Sequence, residues 1–169
     1  ELREGDGESP RDVGPGVEGE IWIRGPQVML GYLKRPEETR AVLDDDGWFH
    51  SGDIGHAHAD GHFFIVDRLK ELIKYKGMQV PPAELEAVLL SHPAVADAAV
   101  VPFPDADAGE IPRAFVVRKG AATAEELMAF VAGQVASYKK VRRLEFIDAI
   151  PKSASGKILR RLLKDRPAT

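Results

Sequence analysis

The stretch DRLKELIKYKGMQVPPAELE, residues 67–86, divides the chain into two kinds of pattern. Basic residues fall at Arg68, Lys70, Lys74 and Lys76, Gly77 follows, and the pair Pro81–Pro82 precedes a helical repeat. Lys70 and Lys74 stand four apart, a spacing that on a helix makes one solvated face with Glu71 as partner. Gly77 and two prolines come at once, so an irregular turn or small hairpin is the expected form. Past the prolines, Leu85, Val88 and Leu89 recur at helical spacing, and Glu84 and Glu86 suit the positive N-terminal turn. His92–Pro93 ends this helix, because the residue before a proline is pushed out of the helical region.

Downstream, strands are expected at about 95–101 and 112–118. Thr123 and Glu126 have capping-box spacing and open a second helix with the apolar face Leu127, Phe130, Val131, Val135 and Tyr138. Leu144 and Phe146 mark another strand, and GKILRRLLKD (156–165) reads as a short basic helix. This half is an alternating α+β unit of a size that forms a small domain. Upstream, the first 19 residues are rich in Gly, Asp, Glu and Pro and read as an exposed loop. GEIWIRG (19–25) reads as a strand with Ile21 and Ile23 on one face and Trp22 on the other. A short helix begins at Pro36, with Glu37 and Glu38 in its first turn, and stops near Asp44 to Asp46. WFHSGDIGHAHADGHFFIVD (48–67) reads as strands around the Asp60–Gly61 turn, since Asp-Gly between apolar runs is a hairpin signal. Residues 1–66 are therefore expected to be mostly β, and the fold class of the whole is α+β.

Composition narrows the function classes. Of 169 residues, 44% are hydrophobic and 30% charged, which suits a packed soluble core. The net charge of −4 argues against general nucleic-acid binding, though a local basic site depends on clustering rather than on the total. Cysteine is absent, which removes disulfides, thiolate nucleophiles and cysteine metal sites and points to a cytoplasmic setting. No apolar run approaches the roughly 18 residues of a membrane span. The polar start ELREGDGESPRD is unlike a signal peptide, and without an initiator methionine it is expected to belong to a fragment or a processed chain.

Four groups of residues have chemistry to offer. Asp53, ending the tripeptide SGD, is a carboxylate just past a glycine at a strand end. Such a group accepts from two adjacent sugar hydroxyls, and equally serves as a turn aspartate that satisfies local amides. The cations of 68–76 can cradle phosphate or neutralise charge developing at an acyl centre; the alternative is a set of solvated loop lysines. In PKSASGKILRR (151–161), Lys157 follows a Ser/Gly-rich loop at the expected start of a helix, where backbone amides attract anions. It lacks the glycine spacing of a P-loop, and a flexible tail with a basic helix is the alternative. His56, His58 and His62 straddle the Asp60–Gly61 turn; exposed hairpin histidines are the better account of them, and no metal site is expected.

Taken in order, these segments resemble the acyl-adenylate-forming (AMP-binding) enzymes, among them acyl-CoA synthetases, 4-coumarate–CoA ligases, beetle luciferases and peptide-synthetase adenylation domains. The matching stretches are GEIWIRGPQVMLGYLKRPEET, DGWFHSGDIG, DGHFFIVDRLKELIKYKGMQVPPAELE, HPAVADAAVVPFPDADAGEIPRAFVV and IPKSASGKILRR, covering about residues 18–165. The likeness is nearest to the 4-coumarate–CoA ligase branch. It implies a β-rich last subdomain of a large N-terminal domain over 1–66 and a small α+β C-terminal lid over 67–169. It implies a carboxylic acid attacking the α-phosphate of ATP (with Mg2+) to give acyl-AMP and pyrophosphate, after which the lid turns and CoA displaces AMP. By the same resemblance Asp53 holds the ribose hydroxyls and Arg68 contacts ribose or phosphate. Lys70 is the hinge, and Lys157 reaches the carboxylate and α-phosphate. Lys74 and Gln79 stabilise the thioester-forming conformation, and Tyr75, Lys76 and Gly77 line the pantetheine path. Ser51 stands where the family commonly has threonine, a conservative change. The family's Gly/Ser/Thr-rich phosphate loop and acyl pocket have no counterpart in these 169 residues, so the chain alone is expected to hold neither cofactor nor substrate and to be inactive, its partner being the N-terminal domain of the same chain. Luciferase-type and carrier-protein-loading enzymes share the adenylation step, and a lid-only partner-binding module is the non-enzymatic alternative.

Overall fold

The computed structural model describes residues 1–4 and 11–167. They form two compact units, Glu1–Lys70 and Glu71–Thr169. Two separate sheets, one per unit, with few helices make this a mixed α+β chain. Among the described residues no helix is long and apolar enough to cross a membrane.

The first unit is an antiparallel sheet of β1 (Leu2–Glu4), β2 (Arg11–Asp12), β3 (Gly19–Ile23), β4 (Phe49–Ala57) and β5 (Phe63–Arg68), in the order β2-β1-β3-β4-β5. The exposed loop expected over the first 19 residues is corrected here: Leu2 is 4% exposed and pairs in register with Ile21, so its burial recruits a polar segment into the sheet. Residues 5–10 of that expected loop lie outside the described residues. On β3 the inward side chain is Trp22, while Ile23 is exposed. The short helix α1 (Pro36–Arg40) carries proline in its first turn, where a missing N–H costs nothing. The Asp60–Gly61 turn closes β4 onto β5 through His58 N–H to His62 O at 2.8 Å, and β5 runs on through Asp67 and Arg68.

The second unit begins with the hairpin β6 (Ile73–Tyr75) and β7 (Met78–Val80). Lys76 (φ 49°) and Gly77 (φ 80°) both lie in the left-handed region, the geometry of a two-residue turn whose twist matches its strands. Helix α2 (Pro82–Ser91) follows, then β8 (Val95–Asp105) and β9 (Gly109–Arg118), α3 (Ala124–Ala132), β10 (Arg143–Phe146) and α4 (Arg160–Lys164). Strand β9 pairs antiparallel with β8 and parallel with β10, and the hairpin joins its start at Tyr75–Gly109. Both long strands outrun the expected 95–101 and 112–118. Pro102 faces Pro112 in register, so prolines that argue against a strand sit where the ladder tolerates them, and the turn is held by Asp105 Oδ1 accepting from Asp107 and Ala108 N–H.

Apolar residues on β8 and β9 alternate between two cores. Ala98, Val100, Ala114 and Val116 pack with Leu85 and Leu89 of α2 and Leu127 and Val131 of α3. Ala99, Val101 and Phe115 face the other way, towards Ile150 and Leu163 of α4. Burial on both faces explains the near-continuous apolar runs of these strands. Each fully buried leucine contributes about 1.5–3 kcal/mol. The Thr123–Glu126 capping box forms as expected, but α3 ends at Ala132, so Val135 and Tyr138 reach the core from the following turn and a 3-10 segment.

Candidate functional site

Asp53 and Arg68 are brought together within the first unit. They are register partners on β4 and β5, and Arg68 Nε donates to Asp53 Oδ1 at 2.9 Å. The backbone beneath Asp53 is fixed from several sides. Gly52 has φ 72°, donates its N–H to Glu20 Oε1 at 2.8 Å and accepts from Leu69 N–H at 2.8 Å. Asp53 N–H donates to Ser51 Oγ at 3.1 Å. Glu20 is itself oriented by Trp22, whose indole N–H donates to Oε2 at 2.8 Å, and Trp22 stacks on His50 with centroids 3.7 Å apart. The Asp53 side chain keeps 34% of its surface open and that of Arg68 62%. A carboxylate held in place on one side and open on the other can accept from a pair of vicinal hydroxyls, with the guanidinium beside it for an anion.

Lys74 and Gln79 are opposite each other on β6 and β7, so their side chains share one face of the hairpin, and both are exposed. Glu110 accepts the Lys74 backbone N–H at 2.8 Å, and Lys76 N–H donates to Ala108 O at 2.9 Å, which docks the hairpin against the β8–β9 turn. The Tyr75 ring carries the Arg142 guanidinium 3.7 Å from its centroid and Lys76 Nζ at 5.9 Å. Arg142 is aimed by donating to the carbonyls of Tyr138 and Lys140 at 3.2 and 2.8 Å.

Lys157 is not at a helix start, and that expectation is corrected. Helix α4 begins at Arg160 and has five residues; Lys157 stands on a closed turn before it. Gly156 N–H donates to Ser153 O at 2.9 Å, Ser153 N–H to Lys157 O at 2.8 Å and Lys157 N–H to Ser153 Oγ at 3.2 Å. Lys152 and Ile158 form an isolated bridge that closes the base. These short-range bonds, available to a Ser-rich segment with Gly156 at φ 82°, outcompete a further helical turn. Lys157 and Lys70 are both exposed.

The histidines of the β4–β5 hairpin are occupied by aromatic and turn contacts. His56 stacks on Phe64, His58 meets the same ring edge-on, and His62 Nδ1 lies 3.1 Å from Asp60. Among the described residues no group of three His, Cys, Asp or Glu side chains converges as metal ligands.

Among the described residues Asp67, Glu86 and Arg113 are buried charges, and their burial escaped the sequence reading. Glu86, which suits the N-terminal turn of its helix, is 8% exposed and accepts Val100 N–H at 2.8 Å and Arg160 at 2.9 Å. Arg113 is fully buried in β9. It pairs with Glu145 at 2.6 Å and donates to the carbonyls of Arg166 and Pro167 at 2.9 and 2.8 Å. The available signal was an arginine inside the apolar run IPRAFVV, where a charge survives only if paired.

Residues 84–157 match the AMP-binding enzyme C-terminal domain. The chain is 60% identical over 153 residues to a 4-coumarate–CoA ligase-like protein of Oryza sativa subsp. japonica, covering 89% of this chain and 26% of that protein. ATP-bound MatB from Rhodopseudomonas palustris superposes with a TM-score of 0.88 at 34% identity, over 98% of this chain and 33% of that one. The o-succinylbenzoate CoA synthetase of Bacillus subtilis, solved with an acyl-adenylate intermediate, gives 0.85 at 37% identity, over 98% and 34%. The chain thus spans about a third or less of the length of these relatives. Over most of its length the chain matches the C-terminal portion of AMP-binding enzymes, with high identity to the 4-coumarate–CoA ligases.

Proposed function

We propose that this chain supplies the ribose-binding strand and the mobile lid of an ATP-dependent carboxylate–CoA ligase. In the whole protein the carboxylate of an acid attacks the α-phosphorus of ATP. The α–β phosphoanhydride breaks, pyrophosphate leaves, and acyl-AMP remains. The CoA thiol then attacks the acyl carbon, AMP departs and the thiol proton goes to solvent. The observation that carries the reading is the match along nearly the whole chain to CoA ligases, one of them solved with an acyl-adenylate intermediate.

Asp53 accepts from the ribose hydroxyls, and Arg68, oriented by the same carboxylate, contacts ribose or phosphate. Lys157 brings a mobile ammonium to the carboxylate and α-phosphate, where negative charge must be neutralised as the anhydride forms. Lys70 is the hinge between the β-rich piece (1–66) and the lid (67–169), a role supported by the division of the compact units beside it. Lys74 and Gln79, on the open face of the hairpin, serve the thioester-forming conformation, and Tyr75, Lys76 and Gly77 line the path of the pantetheine arm. Mg2+ accompanies ATP, and with no ligand cluster among the described residues no step is assigned to a metal held by this chain. The acyl pocket and phosphate loop belong to the preceding domain, so the isolated chain carries out neither half-reaction.

Lys157→Ala in a full-length ligase carrying this chain should cut acid-dependent ATP–pyrophosphate exchange by about a hundredfold or more. It should spare thioester formation from supplied acyl-AMP and CoA. Full exchange activity in that variant, or exchange by the isolated chain, would overturn the reading.

A further inference from the structure

The turn that carries Lys157 is shaped by its own backbone bonds, but those bonds say nothing about where it points. Aim comes from its two flanks. On one side Lys152 Nζ meets Asp97 Oδ2 on β8 at 2.6 Å. On the other stands Arg160, the first residue of α4, with a side chain only 13% exposed. Its NH2 lies 2.9 Å from the buried Glu86 carboxylate of α2, and its Nε lies 3.1 Å from Glu71 Oε2 in ion-pair range. Glu86 is fixed in turn by the Val100 N–H of β8. One guanidinium therefore faces two carboxylates from two parts of the unit, hydrogen-bonded to Glu86 and within ion-pair distance of Glu71 through an Nε that has no hydrogen-bond partner. The outer one, Glu71, is the residue next to Lys70.

We propose that Arg160, clamped by Glu86 and Glu71, is a positioning residue that aims Lys157 for adenylation and ties it to the start of the lid; this rests on the reading of Lys157 given above. The lysine side chain is a flexible four-carbon stem, so its reach is only as well defined as the backbone beneath it. Arginine suits the clamp because its rigid fork hydrogen-bonds Glu86 while its delocalised charge also faces Glu71, which an ammonium matches poorly. Helix α4 has anchors besides the clamp. Leu163 is 1% exposed in the core beside Ile150, and Arg113 holds the carbonyls of Arg166 and Pro167 just beyond the helix. Removing Arg160 leaves these anchors and frees the segment between them and Lys157. A shift of about 1 Å at a group of this kind costs up to a hundredfold in rate.

The test uses a full-length ligase carrying this chain as its C-terminal part and reads the two half-reactions separately. Arg160→Met keeps the stem and removes the fork. Arg160→Lys keeps the charge and guards against loss of fold in the first variant. Arg160→Met should lower ATP–pyrophosphate exchange by about tenfold or more, and Arg160→Lys by an intermediate factor. Thioester formation from acyl-AMP and CoA should stay within about threefold of the parent in both. Added to Lys157→Ala, Arg160→Met should bring no further loss, because the aim of an absent amine is immaterial. Equal losses in both half-reactions for Arg160→Lys would mark a structural role and overturn the proposal, as would no loss in either. Exchange unaffected by Lys157→Ala would instead sink the reading of Lys157, and the clamp's purpose with it.

Discussion

Asp44, in the turn before β4, shows how one carboxylate can organise a segment with little regular structure. Burial works against its ionisation. The backbone N–H of Trp48 at 2.8 Å, His50 at 3.5 Å and the N–H of Asp46 at 3.0 Å outweigh that and hold its pKa below the usual aspartate value. A carboxyl whose folded pKa is depressed stabilises the fold above its unfolded pKa, and that stabilisation is lost as pH falls through the folded value. Asp44→Asn retains an acceptor but no charge, and should lower stability near pH 7 by about 1 kcal/mol. The gap to the parent should shrink once the pH drops below about 4, where the parent carboxyl also protonates. Both tryptophans, Trp22 and Trp48, belong to the first unit, so denaturation followed by tryptophan fluorescence reads this effect directly. A pH-independent gap would contradict it.

Among the elements, the hairpin of β6 and β7 depends most on a single residue. Its two-residue turn requires positive φ at both Lys76 and Gly77, and a β-branched side chain tolerates that region worst. A Cβ on Gly77 would meet nothing within 4 Å, so the cost of substitution is conformational rather than a clash. Gly77→Val should destabilise the second unit by about 1–2 kcal/mol. Thermal unfolding monitored by circular dichroism checks this, and an unchanged midpoint would mean that the turn adapts. The hairpin was legible as a turn because glycine and two prolines rule out a continuing helix. Its docking on the β8–β9 turn, through Glu110 and Ala108, was not, since those partners lie more than thirty residues away.

For the whole molecule, the two units differ in self-sufficiency. All the residues of both second-unit cores lie between Ile73 and Leu163. On β5 of the first unit, by contrast, Phe63, Phe64 and Ile65 are 52%, 49% and 62% exposed in consecutive positions, so both faces of that edge strand show apolar surface. Residues 71–169 expressed alone should unfold in one cooperative thermal transition, as expected of a small domain with its own core. A gradual, non-cooperative melt of that piece would refute its independence.

The order of motifs along the chain sufficed for the α+β class, the capping box and the list of charged residues, because those signals are local: period, turn chemistry and spacing. Tertiary structure decided what local signals cannot carry. It drew Leu2 into a sheet from a segment that reads as loop, since burial against Ile21 outweighs polar composition. It stopped the basic helix short of Lys157 and turned Glu86 inward onto Arg160, seventy-four residues away. A buried charge needs a partner, and which partner comes within reach depends on how the chain folds back on itself.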